Sequence, residues 1–255
     1  MLTTGIAADL AYALDPAALA TAAGLPPDPW QARLLRSRAP RILVNCSRQT
    51  GKSTATGVLA VHTALYEPGA LVLLLAPTWR QAGELFRKCL SVYRAAGRPV
   101  AAESETALTL TLANGSRIVS LPGKEGTVRS YSGVRLLLID EAARVPNDLY
   151  LAVLPMLAVS NGHLALMSTP FGTRGFFYEA WRARGDWDYY EVPATDCPRI
   201  SPEFLEQMRR TMGEWWFRQE FMCEFQDAQS AAFRREDIDT AFSEEVEEWD
   251  LSSSA

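Results

Sequence analysis

Short runs of apolar residues recur along the chain and are separated by longer amphipathic stretches. The runs lie at residues 41–45, 70–76, 135–139 and 163–168. A continuous apolar run of this length is typical of a parallel strand that is buried on both faces. Helical stretches between successive runs complete an alternating strand–helix pattern. This pattern predicts an α/β domain with a mostly parallel sheet and helices on both faces.

Capping and turn residues mark the ends of further predicted elements. The Asp-Pro pairs at 15–16 and 28–29 each combine an N-cap residue with a proline at the first helical position, which predicts two short helices. Asn114-Gly115 stands between two alternating segments and predicts a β-hairpin. Residues 187–192 predict an edge strand. Longer helices are predicted at residues 51–66, 79–96, 147–158 and 202–221.

The order of these elements divides the chain into four predicted parts. Residues 1–28 form an N-terminal helical extension, residues 29–199 the α/β core, and residues 200–235 a small helical lid. Residues 236–255 form an acidic tail. At 255 residues, the chain is long enough to bury a sizeable core within one large domain.

Charge is distributed unevenly along the chain. The net charge is −5, but residues 236–255 contain eight acidic residues and no lysine or arginine. The remaining residues therefore carry a net charge of about +3, and the overall acidity does not exclude a nucleic-acid partner. Like charges crowded into the tail favour a solvated segment.

The cysteines and the N-terminal segment bear on the compartment of the protein. The four cysteines show no CxxC spacing and have no histidine nearby, so the sequence predicts neither a zinc site nor a disulfide framework. The alanine-rich start, residues 5–24, is interrupted by Asp9, Asp15 and Pro16, and the first basic residue of the chain is Arg33. This segment predicts neither a signal peptide nor a membrane span, and a cytoplasmic protein is expected.

A candidate phosphate-binding loop, Cys46-Ser-Arg-Gln-Thr-Gly-Lys-Ser53, lies between a predicted strand and a predicted helix. Such a loop needs this context, because backbone amides and the helix dipole then face the phosphates. Lys52 is expected to reach the β- and γ-phosphates of ATP, and the Ser53 hydroxyl to ligate Mg²⁺. Cys46 departs from the usual pattern, since it stands where the first glycine is expected. The predicted nucleotide-binding residues here are Ser47, Arg48, Gln49, Thr50, Gly51, Lys52, Ser53 and, more weakly, Thr54.

Another predicted strand ends in two acidic residues. Residues 136–139 are apolar and are followed by Asp140 and Glu141. Open α/β sheets bind ligands at the carboxyl ends of their strands. Asp140 is therefore predicted to hold Mg²⁺ together with Ser53, and Glu141 to orient or deprotonate the attacking water. Both halves of a nucleotide site occur in order within one domain, which predicts Mg·ATP hydrolysis.

These two motifs together resemble the ATPase domain of the large terminase subunit, the RecA-like P-loop motor that packages DNA in tailed phages. The resemblance extends over residues 28–242. Its most specific part is the arginine within residues 47–53, because terminases carry this form of the loop, often without the first glycine. The resemblance implies that Arg48 contacts the γ-phosphate from within the same subunit, and that a small lid closes the domain. Residues 217–225 resemble that lid segment.

Other short segments extend the resemblance. Trp30-Gln31 is similar to the adenine-reading glutamine motif of these motors, while an ordinary core anchor is the alternative for Trp30. Residues 76–82 resemble a segment that is shared with helicase-like ATPases. Ser168-Thr169 is similar to the coupling motif that senses the γ-phosphate; the alternative is that it satisfies backbone groups at a strand end.

One further arginine is implied by the resemblance. Arg129 stands eleven residues before Asp140 and matches the arginine that some terminases insert into a neighbouring subunit's site. Arg135, nearer the strand, is the alternative. The resemblance thus adds Arg129 to the catalytic residues Arg48, Lys52 and Glu141.

The resemblance also implies partners. These are double-stranded DNA, the portal protein of the procapsid and the small terminase subunit, with action in the cytoplasm of the bacterial host. The chain is expected to be monomeric in dilute solution and to form a homo-oligomeric ring, a pentamer, on the portal. Three alternatives stay open: a helicase-like translocase outside packaging, an ATP-dependent switch, and a P-loop kinase.

Nuclease activity is not expected of this chain. Terminase large subunits normally continue into an RNase H-like nuclease whose acids bind two metal ions, and such a site needs acids held on a rigid sheet. Here Asp237 and Asp239 lie in no predicted strand. The sequence leaves open whether the chain is an ATPase domain separated from its nuclease or a relative without one.

Overall fold

The computed structural model describes residues 5–123 and 131–227. Within these ranges eight strands form one sheet, in the order β3-β4-β5-β2-β6-β7-β1-β8. The strands are β1 (Arg41–Cys46), β2 (Leu71–Ala76), β3 (Ala102–Glu105), β4 (Thr109–Leu112), β5 (Arg117–Pro122), β6 (Val134–Asp140), β7 (His163–Ser168) and β8 (Asp188–Val192). The six strands from β5 to β8 in this order pair in parallel, whereas β3 and β4 extend one edge antiparallel. The predicted mostly parallel sheet is confirmed, and β8 forms an edge as predicted.

Eight α-helices accompany the sheet within the described residues. They are α1 (Ile6–Leu14), α2 (Pro16–Ala22), α3 (Pro29–Arg36), α4 (Lys52–Tyr66), α5 (Trp79–Ala95), α6 (Asn147–Val153), α7 (Gly175–Ala183) and α8 (Pro202–Phe221). Short 3₁₀ turns occur at Ala142–Arg144, Leu154–Leu157 and Ala194–Asp196. No helix in the described part of the chain is long and apolar enough to cross a bilayer.

Each buried strand contributes side chains to two cores, one on either face of the sheet. In β2, Val72 and Leu74 face the core formed with α2 to α5, whereas Leu71, Leu73 and Leu75 face the core formed with α6 and α7. All six residues of β2 are buried. This explains why the strand reads as an uninterrupted apolar run, because alternate side chains point to opposite faces and neither face meets water.

The parallel register brings the carboxyl ends of three central strands together. Strand β7 lies between β1 and β6, with Ser168 opposite Asn45 and Met167 opposite Asp140. The loop after β1, the acidic pair at the end of β6 and the segment after β7 therefore meet at one edge. Ligand sites in open α/β sheets form at this edge.

Two elements are absent from the sequence prediction. Strand β3 has all four residues exposed, so it carries no apolar alternation that could reveal it. Helix α7 is short and follows a glycine-rich turn, although its Phe177 and Trp181 pack into the second core. The predicted hairpin is confirmed, because β4 and β5 pair antiparallel around residues 113–116.

The segment predicted to form a lid contains α8 and a small core of its own. Ala194, Leu205, Phe217 and Phe221 form this core. Gly213 interrupts α8 with φ 79° and ψ 162°, a conformation that glycine adopts without the cost of a Cβ clash. Residues 228–235 of the predicted lid and the whole predicted acidic tail lie outside the described residues.

Candidate nucleotide site

The loop between β1 and α4 has the geometry of a phosphate cradle. Gln49 and Gly51 adopt left-handed backbone conformations, with φ 64° and 92°. In the described part of the chain, the backbone amides of residues 49–53 donate to no protein acceptor. Five amides without acceptors at the start of a 15-residue helix are the arrangement that binds phosphate oxygens.

Cys46 does not need to be glycine here. It is the last residue of β1 and pairs with Val192 of β8, so its backbone is extended rather than left-handed. Its side chain is fully buried in the core beneath α4, and burial raises the pKa of the thiol to about 11. The residue therefore acts as a small, protonated core side chain. The left-handed turns come later in the loop, at Gln49 and Gly51.

The side chains of Gln31 and Arg199 hydrogen-bond to backbone carbonyls of the loop. The Gln31 amide accepts from the Asp28 N–H at 2.8 Å and donates to the Gly51 carbonyl at 3.0 Å. Arg199 donates to the Thr50 carbonyl at 3.0 Å and pairs with Asp28 at 2.7 Å. Gln31 is buried, and both polar ends of its side chain are used within the protein. Arg199 is a contact that the sequence prediction missed.

Gly51→Ala is expected to weaken both folding and nucleotide binding. A Cβ at this position would lie 2.5 Å from Gln31 Nε2 and 3.4 Å from Arg199 Nη2, and a φ of 92° is itself unfavourable for alanine. We expect a stability loss of about 1–3 kcal/mol in urea denaturation and at least tenfold weaker binding of ATP. Gly83→Ala, where a Cβ meets no atom within 4 Å, is the matched control. Wild-type stability and ATP affinity in Gly51→Ala would contradict the close packing of Gln31 and Arg199 against Gly51.

Lys52 and the two acids at the end of β6 form a buried ionic cluster. Lys52 Nζ lies 2.6 Å from Glu141 Oε1 and 3.5 Å from Asp140 Oδ1. Burial by itself lowers the pKa of Lys52, but the charges of Asp140 and Glu141 outweigh it and raise the pKa above its ordinary value. Burial raises the pKa of Asp140, an effect that the Lys52 charge opposes. Lys52 is therefore a permanent cation at this edge of the sheet.

Glu141 is held in a strained conformation. Its backbone is left-handed with φ 51°, which is costly for a residue with a Cβ. Its Oε2 atom is buried and makes no hydrogen bond, while Oε1 accepts from Lys52. Strained backbone and an unsatisfied buried oxygen are both features of functional sites. The carboxylate is thus placed beside the loop with one oxygen left for another partner.

The Arg48 side chain contacts the end of α8. Its guanidinium pairs with Glu220, and its backbone N–H donates to the Glu220 carbonyl at 3.2 Å. The backbone N–H of Ser47, the preceding residue of the loop, donates to the Val192 carbonyl at 3.0 Å. Glu220 is therefore a second contact that sequence reasoning missed, and it ties the loop to the predicted lid.

Ser168 and Thr169 lie beside the acidic pair. Ser168 Oγ accepts from the Ala143 N–H at 3.2 Å and donates to the Thr169 carbonyl at 2.7 Å. Thr169 Oγ1 is buried without a hydrogen-bond partner. Ser168, the last residue of β7, is therefore in direct contact with the turn that follows Glu141.

The donor set at this edge fits a hydrated Mg²⁺ ion. Ser53 lies in the first turn of α4 and Asp140 ends β6, and Ser53 Oγ makes no hydrogen bond within the described protein. Asp140 Oδ1 accepts from the Glu141 N–H at 3.0 Å and lies 3.5 Å from Lys52 Nζ. A hydroxyl and a carboxylate with free oxygen lone pairs are the ligands that Mg²⁺ uses in phosphate sites.

A cavity of about 320 Å³ lies directly behind the phosphate loop. Its walls combine apolar residues with the polar atoms that clamp the loop. They include Leu25, Pro26, Gln31, Gly51, Thr54 and Arg199. Trp30 does not line this cavity; it packs against the first core, and its Nε1 atom is buried without a partner. The structure thus places Gln31 and Thr54 at the cavity and Trp30 among core residues.

Two arginines are candidates for insertion into a neighbouring subunit's site, which is called the trans role below. Arg129 lies outside the described residues. Arg135 lies near the start of β6, at the opposite end of the strand from Asp140, and pairs with Glu67. Five residues of strand correspond to roughly 16 Å. Arg135 is therefore far from the site of its own subunit and already has a partner.

Aromatic residues of α8 pack within the predicted lid. Phe217 is buried in the small core of that segment. Trp215 donates to the Asp227 carbonyl at 3.1 Å and contacts Trp216 edge to face. Phe217 therefore packs inside this segment, whereas Trp216 is 44% exposed.

Amides without acceptors, a buried lysine and two strand-terminal acids at the carboxyl edge of a parallel sheet define a P-loop nucleotide-binding domain. The chain belongs to the terminase large subunit family, because residues 43–240 match the family described as "Terminase large subunit, T4likevirus-type, N-terminal". The predicted family and RecA-like fold are therefore confirmed.

Individual relatives agree with this assignment. The chain is 27% identical to the large terminase subunit of Thermus virus P23-45, over 82% of this chain and 51% of that protein. It is 29% identical to that of Escherichia phage T5, over 72% of this chain and 44% of that protein. The chain thus spans about half the length of the curated relatives it matches.

Solved structures show the same fold. The large terminase ATPase domain of Thermus phage P74-26 superposes with a TM-score of 0.73 at 26% identity, over 81% of this chain and 97% of that one. The large terminase of bacteriophage HK97 has a TM-score of 0.66 at 13% identity, over 78% of this chain and 50% of that one. The described fold therefore corresponds to nearly the whole of the P74-26 ATPase domain.

Proposed function

We propose that this chain hydrolyses Mg·ATP and that hydrolysis drives double-stranded DNA into a viral procapsid. The observation that carries the proposal is the contact of Lys52 with both Asp140 and Glu141 beside five unpaired loop amides. Membership of the terminase large subunit family supplies the biological context. The large terminase of a thermophilic bacteriophage, a protein of similar fold, has been solved with ADP and with ATP-γ-S.

The chain's own residues provide binding and charge stabilisation for phosphoryl transfer. The loop amides and Lys52 hold the β- and γ-phosphates, so Lys52 leaves Glu141 when the nucleotide enters. Glu141 is then free to accept a proton from the attacking water. Ser53 and Asp140 would hold Mg²⁺, which neutralises phosphate charge when bound. Hydrolysis needs little covalent chemistry beyond this positioning.

Arg48 is proposed to complete the γ-phosphate contacts from within the same subunit. Its partner Glu220 is a single carboxylate, whereas a triphosphate presents several anionic oxygens at the mouth of the loop. Competition between the two would break the contact between the loop and the end of α8. This exchange gives the predicted lid a direct way to respond to the nucleotide. Ser168 contacts the turn after Glu141, and Ser168 and Thr169 would transmit the response to the sheet.

The cavity behind the loop is the proposed adenine pocket. It begins beside Thr54 in the first turn of α4, where the chain leaves the phosphate cradle, and it has apolar walls. The Gln31 amide bonds Asp28 and Gly51, which leaves one of its N–H groups for a base. Gln31 would therefore link base recognition to the conformation of the loop. Trp30 supports this pocket through packing.

The proposed partners follow from the family. They are DNA, the portal protein of the procapsid and the small terminase subunit, in the cytoplasm of the bacterial host. The subunits are proposed to be monomers in dilute solution that form a pentameric ring on the portal. Arg129 is proposed to act on a neighbouring subunit's site within that ring. The expectation that this chain alone cuts no DNA stays a prediction.

Empty procapsids are expected to stimulate the ATPase activity of this chain at least tenfold and to take up DNA into a DNase-resistant form. Assembly raises the local concentration of subunits and completes sites that need a neighbour. Arg129→Ala should keep the unstimulated rate and lose the stimulated one. Arg135→Ala tests the alternative candidate and should keep both rates, since Arg135 pairs with Glu67 and lies near the start of β6, at the opposite end of the strand from Asp140.

A procapsid that leaves the ATPase rate unchanged and protects no DNA would contradict the packaging role. In that case hydrolysis alone would favour a translocase or switch outside packaging. Loss of stimulation in Arg135→Ala, with Arg129→Ala unaffected, would move the trans role to Arg135.

A further inference from the structure

Three cations and three carboxylates meet at the carboxyl edge of the sheet. The cations are Arg48, Lys52 and Arg144, and the carboxylates are Asp140, Glu141 and Glu220. The roles proposed above involve two of the cations, Arg48 and Lys52, in phosphate binding. They leave Arg144 without a role, although it touches more parts of the site than either of the others.

Arg144 lies in the 3₁₀ turn that follows Glu141. Its Nε atom is 3.9 Å from Glu141 Oε2, and its Nη2 atom is 3.8 Å from Glu220 Oε1. Its guanidinium stacks over the Phe171 ring at 4.0 Å from the ring centroid, just after Ser168-Thr169. Arg144 therefore lies between the acid after β6, the end of α8 and the segment after β7.

The two distances to carboxylates are longer than hydrogen bonds, which extend to about 3.2 Å. Glu141 Oε2 is also the buried oxygen that has no hydrogen-bond partner. A guanidinium that lies over an aromatic face gains a cation–π contact while its N–H donors stay available for a carboxylate. Arg144 is thus placed to close on Glu141 with a small rotation.

Charge balance at the site changes when a nucleotide binds. Under the proposed function, Lys52 leaves Glu141 for the phosphates and Arg48 leaves Glu220. Among the described residues, Arg144 is then the cation that remains within 4.0 Å of both carboxylates. A largely buried carboxylate without a cation beside a triphosphate is disfavoured, so a cation that replaces Lys52 would stabilise Glu141.

We propose that Arg144 is the positioning residue that pairs with the Glu141 carboxylate when Lys52 moves to the phosphates. It holds the Oε2 side of the carboxylate, which leaves Oε1 to face the attacking water. Glu220 and Phe171 keep the guanidinium in place before this happens. The inference rests on the proposed hydrolysis of ATP, and it adds a residue that neither the motifs nor the family resemblance marked.

Arg144→Ala is expected to lower the kcat for ATP about 10–100-fold and to change the Kd for ATP less than about threefold. Arg144→Lys should restore part of the rate, because it returns the charge without the planar donors. Arg210→Ala is the matched control, since Arg210 is a highly exposed α8 arginine paired with Glu206. A purely structural role would instead lower thermal stability and nucleotide affinity together. An unchanged kcat in folded Arg144→Ala, or a change confined to affinity, would overturn the proposal.

A double-mutant cycle tests whether Arg144 acts through Glu141. In a Glu141→Gln background, adding Arg144→Ala should cause no further loss of the single-turnover rate, because there is no carboxylate to hold. An equal fold-loss in both backgrounds would show that Arg144 acts elsewhere.

A crystal structure with Mg²⁺ and ATP-γ-S gives a readout that needs no turnover. It should place an Arg144 nitrogen within about 3.2 Å of Glu141 Oε2. An Arg144 that stays on Glu220 and away from Glu141 would overturn the inference even if ATP is hydrolysed. Loss of wild-type hydrolysis, by contrast, would contradict the proposed function itself.

Discussion

Lys52→Ala is expected to lower ATP turnover by at least 100-fold and to weaken nucleotide binding. Lys52 is the buried cation beside the loop, and its ammonium group is the charge that the phosphates would take from Asp140 and Glu141. Without it, the triphosphate would meet two carboxylates with no opposing charge. Phosphate release and the binding of a fluorescent ATP analogue measure the two effects.

The same substitution bears on folding. Removal of Lys52 leaves Asp140 and Glu141 buried without their nearest cation, which also lowers stability. Circular dichroism must therefore show that the variant is folded at the assay temperature. Lys88→Ala, which removes an exposed lysine of α5, serves as the control. Near wild-type turnover in folded Lys52→Ala would show that the loop after β1 is not the phosphate site.

Glu141→Gln is expected to lower the hydrolysis rate about 10²–10⁴-fold while ATP still binds. A glutamine cannot accept the proton of the attacking water. It also releases Lys52 from a 2.6 Å ion pair, so the affinity for ATP should stay the same or rise. Equilibrium binding and single-turnover hydrolysis separate these two effects.

Glu84→Gln is a suitable control, because it changes an exposed glutamate that pairs with Arg87 on α5. Equal turnover in Glu141→Gln and the wild type would assign the catalytic role to Asp140 or to a residue of a partner subunit. Loss of both binding and hydrolysis would instead mean that Glu141 supports the structure of the loop.

Local signals in the sequence were enough to predict much of the fold. The buried strands read as continuous apolar runs because helices cover both faces, as β2 shows. The boundaries of α8 agree with its serine N-cap and first-turn proline. Strand β3 could not be predicted, since its four exposed residues carry no burial signal.

Some residues of the site could likewise be predicted from the sequence, and others could not. The positions of Lys52 and Asp140 were predictable because each belongs to a recognisable motif: Lys52 begins the helix that follows β1, and Asp140 ends β6. Glu220 and Arg199 were not, because they reach the loop from positions 172 and 149 residues away from Arg48 and Thr50. Such contacts depend on how α8 and the segment after β8 pack against the loop, and no local sequence pattern predicts that packing. Arg144 adjoins a motif, yet its importance appears only when Glu220 and Phe171 are placed beside it.

The most direct test of the central claim is steady-state phosphate release from ATP by the purified chain. Release should occur with Mg²⁺, stop when EDTA removes the metal, and fall at least 100-fold in folded Lys52→Ala. The same dependence on metal and on Lys52 should persist when procapsids raise the rate. Phosphate release that continues in EDTA, or that is unchanged in Lys52→Ala, would contradict the assignment of this edge of the sheet as a Mg·ATP site.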